Sequence, residues 1–169
     1  MNYTDKQGGI KSVQPPTKYL TFGPWIYMVP QYQPKDVLIL GYGEGTVAGL
    51  IWLLYKWEIP ITGVDILPSD HTVDMEFIQT DAKEYVKTCK KFDCVIVDLF
   101  DENGNVCDFV TTKEFVDDLS KIANYIIVNT FKSDMSAYNS LEYVGMNKPS
   151  GLENKIYYYQ MVKIPDLRI

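Results

Sequence analysis

The chain has 169 residues, 46% of them apolar and 22% charged, with a formal charge of −6. That length suits one domain with a core of its own, and the balance excludes both a disordered chain and a membrane class. Sixteen Lys and Arg against twenty-two Asp and Glu, scattered along the chain, speak against a nucleic-acid partner, which calls for a basic face. The longest apolar run, residues 47–55, falls short of the ~18 apolar residues of a membrane helix. The first residues are polar and lack the apolar stretch of a secretory signal. Cys89, Cys94 and Cys107 are odd in number and match no paired metal spacing. They read as reduced thiols of a cytoplasmic protein without a metal site.

Residues 1–34 stand apart from the rest. Gly8-Gly9, Pro15-Pro16, Gly23-Pro24, Pro30 and Pro34 exclude a long helix there. Two aromatic, β-prone runs, 18–22 and 25–29, flank Gly23-Pro24 and predict a hairpin or a covering arm. Such an exposed aromatic arm would also serve as a homo-oligomer contact. Residues 35–169 form the second unit, with a regular pattern.

Asp36-Val37-Leu38-Ile39-Leu40 is wholly apolar after its first residue and ends at glycine, as a strand buried on both faces does. Residues 46–57 carry Val47, Leu50, Ile51, Leu54 and Trp57 at helical spacing. Short strands follow at 61–64 and 75–78. The segment 81–90 reads as a helix capped by Asp81, with Glu84 three residues on. Cys94–Val97 is a further buried strand, 111–123 a helix capped by Thr111 or Thr112, and 125–128 a strand. Residues 143–144 and the alternating run 156–164 complete the pattern, the last as an antiparallel strand. Alternation of this kind predicts a mostly parallel, Rossmann-like α/β sheet between two helical layers. Ligands of such sheets bind beyond the carboxyl ends of the strands, where strand order reverses.

The first of these strands runs into Gly41-Tyr42-Gly43-Glu44-Gly45-Thr46. Glycines allow a sharp turn and close approach to a ligand, and the following helix offers free N–H groups. The dinucleotide fingerprint wants a small residue where Thr46 stands. An acid inside the loop would repel a pyrophosphate, but it suits a ligand with a cationic end, such as the ammonium of S-adenosylmethionine. The loop therefore argues against NAD. Asp65, Asp81 and Asp98 each follow a strand. Asp65 is placed to take ribose hydroxyls and Asp81 to accept an adenine amino group. Taken singly, Asp81 would be only a helix cap, and Asp65 and Asp98 solvated loop acids. Four consecutive strands delivering a glycine loop or an acid to one sheet edge is the stronger signal.

Residues 37–45, together with Cys94-Val95-Ile96-Val97-Asp98-Leu99-Phe100-Asp101 and Thr111-Thr112-Lys113-Glu114-Phe115, resemble the spermidine synthase family. That family has the class I S-adenosylmethionine-dependent methyltransferase fold, and the similarity spans residues 36–131. The resemblance implies S-adenosylmethionine or its decarboxylated form as cofactor, held by Gly41, Gly43, Glu44, Gly45, Asp65, Asp81 and Asp98. Glu44 stands where the family's loop acid holds the amino group of the cofactor's methionine part. Asp98 and Asp101 stand where two acids bind and deprotonate the attacking amine. An amine is protonated at neutral pH, so a carboxylate that attracts it and takes its proton is sensible chemistry. Residues 101–105 read equally as a polar turn.

The chain departs from the family at three places. The synthases carry an N-terminal strand domain with a Tyr-Gln site and a His-Glu motif, and neither is matched before residue 36. The only histidine, His71, follows the second strand and reads as a surface-loop residue. Glu102 stands where the synthases usually have proline. Methyl transfer to a small, amine-bearing substrate is therefore slightly favoured over aminopropyl transfer, and a non-catalytic cofactor-binding or assembly module is the third reading. Tyr157, Tyr158 and Tyr159 read as sheet edge and core, while Phe131, Lys132 and Tyr138 are candidates to cover the pocket.

Overall fold

The computed structural model of the chain describes residues 2–4, 10–13, 23–56, 58–70 and 75–164. His71, Trp57 and the run 18–22 lie outside the described residues. Strands β1 (Asn2–Thr4) and β2 (Ile10–Val13) pair antiparallel as a separate two-stranded sheet. The main sheet contains β3 (Val37–Leu40), β4 (Ile61–Asp65), β5 (Glu76–Gln79), β6 (Phe92–Val97), β7 (Ala123–Phe131), β8 (Glu142–Asn147) and β9 (Asn154–Gln160). Their spatial order is β5-β4-β3-β6-β7-β9-β8. The four pairs of neighbours from β5 to β7 are joined in parallel, and β9 lies antiparallel between β7 and β8. The chain thus travels from β3 outward to β5, then returns to β6 on the other side of β3. The reversal falls between β3 and β6.

Alternate side chains of the central strands feed two cores, which is why these strands are continuously apolar. Val37 and Ile39 of β3 join a core with α1 (Thr46–Tyr55) on one face. Leu38 and Leu40 join a core with α2 (Ala82–Tyr85) and α3 (Lys113–Ile122) on the other. The result is the three-layer arrangement expected. Asp81 caps α2 by accepting the Lys83 N–H (2.8 Å), and Thr112 caps α3 by accepting the Phe115 N–H.

Two expectations change. The run 25–29 is not a strand of a hairpin: Pro24–Met28 is a 3-10 helix. Pro24 fixes the first turn's φ and lacks the N–H a strand ladder needs. Trp25 and Met28 are then buried against α1 and the sheet, and Tyr158 donates its hydroxyl to the Tyr27 carbonyl (2.6 Å). The helix expected over 81–90 shortens to the four residues of α2. Only Ala82 and Val86 of this stretch are fully buried, so packing supports about one turn.

Candidate functional site

A cavity of about 820 Å³ opens at the carboxyl ends of the strands, around the point where strand order reverses. This is the size range of small-molecule and cofactor sites, roughly 300–1,000 Å³. Gly41, Gly43, Asp65, Asp81, Asp98 and Asp101 all contribute to its wall. The glycine loop is built by backbone geometry. Gly41, Gly43 and Gly45 have φ of 85°, 54° and 76°, a region that favours glycine. The amides of Gly41 and Tyr42 both donate to the Val64 carbonyl (2.9 and 3.1 Å), which ties the loop to the end of β4. A Cβ on Gly41 would lie 2.1 Å from the Asp98 carbonyl oxygen. Glycine there is what lets the ends of β3 and β6 close on one another.

Asp65 is held firmly. Its Oδ2 accepts the Gly43 N–H (2.9 Å) and its Oδ1 the Leu67 N–H (3.0 Å). Each oxygen retains a second lone pair, enough to take a pair of hydroxyls. Asp98 closes β6, where its amide donates to the Leu40 carbonyl (2.8 Å) and its Oδ1 accepts from Asn129 Nδ2 (2.8 Å). Val47, Ala82, Leu99, Phe100, Phe109 and Phe131 supply apolar wall to the same cavity.

The structure does not bring two of the expected residues to this wall. Glu44 is buried, 7% exposed, and with Gly45 it does not line the cavity. Tyr42, which does line the cavity, packs on Gly45 and Gly63 and meets the Phe77 ring edge-on at 5.6 Å. Burial, and then the neighbouring Glu44 charge, push the Tyr42 phenol well above its ordinary range. Asp101 does line the cavity, but its carboxylate organises its own turn. Oδ1 accepts the N–H groups of Asn103 (2.8 Å) and Asn105 (2.9 Å). The Asn105 amide, foremost among these donors, holds its carboxyl below the ordinary 3.8. Lys132 stands beside the Phe131 ring and pairs with Glu153 at 2.9 Å, whereas Tyr138 is buried and donates to the Val110 carbonyl.

Asn129 and Asn154 also line the cavity, and sequence reasoning did not single them out. Asn129 follows Val128 at the polar end of an apolar strand. That change from apolar to amide is the one available signal.

No protein-family model matches the sequence, nor does any curated protein. Solved structures do. A probable spermidine synthase from Corynebacterium glutamicum superimposes with a TM-score of 0.66 at 15% identity, covering 91% of this chain and 67% of its own. A spermidine synthase in complex with the transition-state analogue AdoDATO gives 0.62 at 17% identity, covering 88% and 64%. Fibrillarin from Aeropyrum pernix, with natively bound S-adenosyl-L-methionine, gives 0.57 at 15%, covering 78% and 68%. The chain spans about two thirds of each of these proteins. It has the Rossmann-like fold of the class I methyltransferases.

Proposed function

We propose that this chain is an S-adenosylmethionine-dependent transferase acting on a small, amine-bearing substrate. One observation carries the reading: Gly41, Asp65, Asp81 and Asp98 follow four successive strands and line one cavity at the strand reversal. The fit to an adenosyl cofactor rests on this donor set. Asp65, already anchored to the loop through Gly43, takes the ribose hydroxyls, and the Gly41–Gly43 backbone lets the ligand approach the helix start. Asp81 accepts at the adenine end, beside Ala82. When bound, the cofactor would supply a carbon activated by its sulfonium, in a cavity that Asp98 lines. The Asp98 carboxylate attracts the protonated amine and takes the proton that the nitrogen must lose before it attacks. Two of the proteins of like fold are named for S-adenosylmethionine or a transition-state analogue in complex, which supports the choice of cofactor.

Methyl transfer is the form we favour, because Asp101 is spoken for. A carboxylate that accepts two backbone N–H groups and has a lowered pKa is a weak base, so Asp101 gives Asp98 little help as a proton acceptor. Aminopropyl transfer is the second reading, supported by the placing of Asp101 and Glu102 on the same wall and by the two spermidine synthases of like fold. The protein is tested with S-adenosylmethionine or its decarboxylated form and a mixed pool of polyamines and small amines, the sulfur by-product being identified by mass spectrometry. S-adenosylhomocysteine with a methylated amine is the expected result. Methylthioadenosine with a lengthened polyamine would move the second reading to first place, and cofactor bound but intact would leave a binding module. The Asp98→Ala variant should retain cofactor, by calorimetry, and lose turnover.

A further inference from the structure

The cavity wall contributed by β7 and β9 carries a chain of side-chain amides that ends on Asp98. Asn154 Nδ2 donates to Asn129 Oδ1 (3.0 Å), and Asn129 Nδ2 donates to Asp98 Oδ1 (2.8 Å). Asn129 is 3% exposed, so both ends of its amide need partners, and both have one. The polarity of the chain is fixed from one end. An ionised carboxylate only accepts, so Asn129 must turn its NH2 toward Asp98 and its carbonyl toward Asn154. Asn154 must then present its NH2 to Asn129. Reversing the Asn129 amide would set oxygen against oxygen at Asp98 and NH2 against NH2 at Asn154. The start of β9 thereby locks a side chain of β7, which in turn holds the acid that ends β6.

We infer that Asn129 is a positioning residue for Asp98, and that Asn154 acts through it by fixing the orientation of its amide. This deepens the transferase reading, on which the importance of Asp98 rests, but the contact itself is testable without turnover. The other titratable groups on the same wall are Tyr42, Asp65, Asp81, Asp101, Glu102 and Cys107, and Lys132 is paired with Glu153. Their overlap in pH requires a signal specific to Asp98.

The experiment follows the assigned side-chain carboxyl carbon of Asp98 by NMR, as a function of pH, in the full chain. Wild type is compared with Asn129→Leu and Asn154→Leu, and calorimetry with S-adenosylmethionine is run on each. A hydrogen bond to the charged form favours that form, so its loss in Asn129→Leu should raise the Asp98 midpoint by about one pH unit. Asn154→Leu, at the half-exposed end, should raise it by less, through a loosened Asn129 amide. A purely structural role would lower the melting temperature and leave this midpoint in place, which would overturn the inference. Should Asn129→Leu fail to fold, an unmoved midpoint in Asn154→Leu overturns it alone. A wild-type protein that does not bind S-adenosylmethionine would sink the transferase reading, whereas the Asp98 titration would still decide the amide chain.

Discussion

The two edges of the main sheet are both acidic, and they use their acids differently. At the amino edge, Asp36 precedes β3 and Asp93 lies near the start of β6. Asp36 Oδ1 accepts the Asp93 N–H (2.7 Å), and Asp93 accepts the Lys35 N–H and the Asn124 side-chain amide, each at 3.0 Å. These carboxylates stitch β3, β6 and β7 together where the strands begin, and neither lines the cavity. At the carboxyl edge, Asp65, Asp81 and Asp98 also accept hydrogen bonds from the protein, yet all three face shared empty volume. An acid next to a strand is therefore uninformative until its surroundings are known. What separates a fastening from a candidate ligand is the glycine loop, which leaves room where side chains would otherwise stand.

The comparison breaks most violently at Gly41. In Gly41→Ala the new Cβ meets the Asp98 carbonyl oxygen, from a backbone with φ of 85°. Both the collision and the strain must be relieved by moving β3 away from β6, at a cost of about 3 kcal/mol or more. Denaturant unfolding should show that loss, and calorimetry should show no cofactor binding. Asp65→Ala comes next. It frees the Gly43 and Leu67 amides and removes the hydroxyl acceptor together, so affinity for S-adenosylmethionine should fall about 100-fold, near 2.7 kcal/mol. Equal affinity in this variant and wild type would remove Asp65 from the cofactor site.

The amino edge should answer in the opposite way. Asp93→Ala strips the Lys35 amide and Asn124 of their acceptor, which should lower stability by about 1–2 kcal/mol. Because the change is at the far end of the strands, affinity for the cofactor should stay within about twofold of wild type. The contrast with Asp65 is the test: one edge should register in the unfolding curve, the other in the binding isotherm.

Much of this division was legible in the residues. The apolar runs of β3, β4 and β6, the glycine loop and the acids after the strands follow from local pattern, because a buried parallel strand must be apolar throughout and must end where the chain turns. Features that depend on distant partners were not. The run 25–29 has strand-like composition, and only the anchoring of Trp25, Met28 and the Tyr27 carbonyl in the core makes it a 3-10 helix. Asn129 and Asn154 are 25 residues apart and acquire meaning only through the β7–β9 register. Glu44, expected at the cofactor, is buried and absent from the cavity wall, and its burial depends on packing that the loop's own residues do not reveal.

Asp101 is the point at which a small effect decides most. Its carboxylate closes the 101–105 turn, so Asp101→Asn should keep an acceptor oxygen for the Asn103 and Asn105 amides and change the fold little. Its folded pKa is lowered, so the stability it contributes is complete above its ordinary 3.8 and is lost as pH falls through the lower folded value. The Asn variant should therefore lose that acid-side dependence of the loop, visible as Asn103 and Asn105 amide shifts that no longer titrate. Turnover should fall by less than about threefold, since a carboxylate already engaged by its own turn gives little to proton transfer. A loss as deep as that of Asp98→Ala would mean that two acids share the amine. The cavity would then be built as an aminopropyl-transfer site, and the turn at Asp101 would be the device that sets the second acid in place.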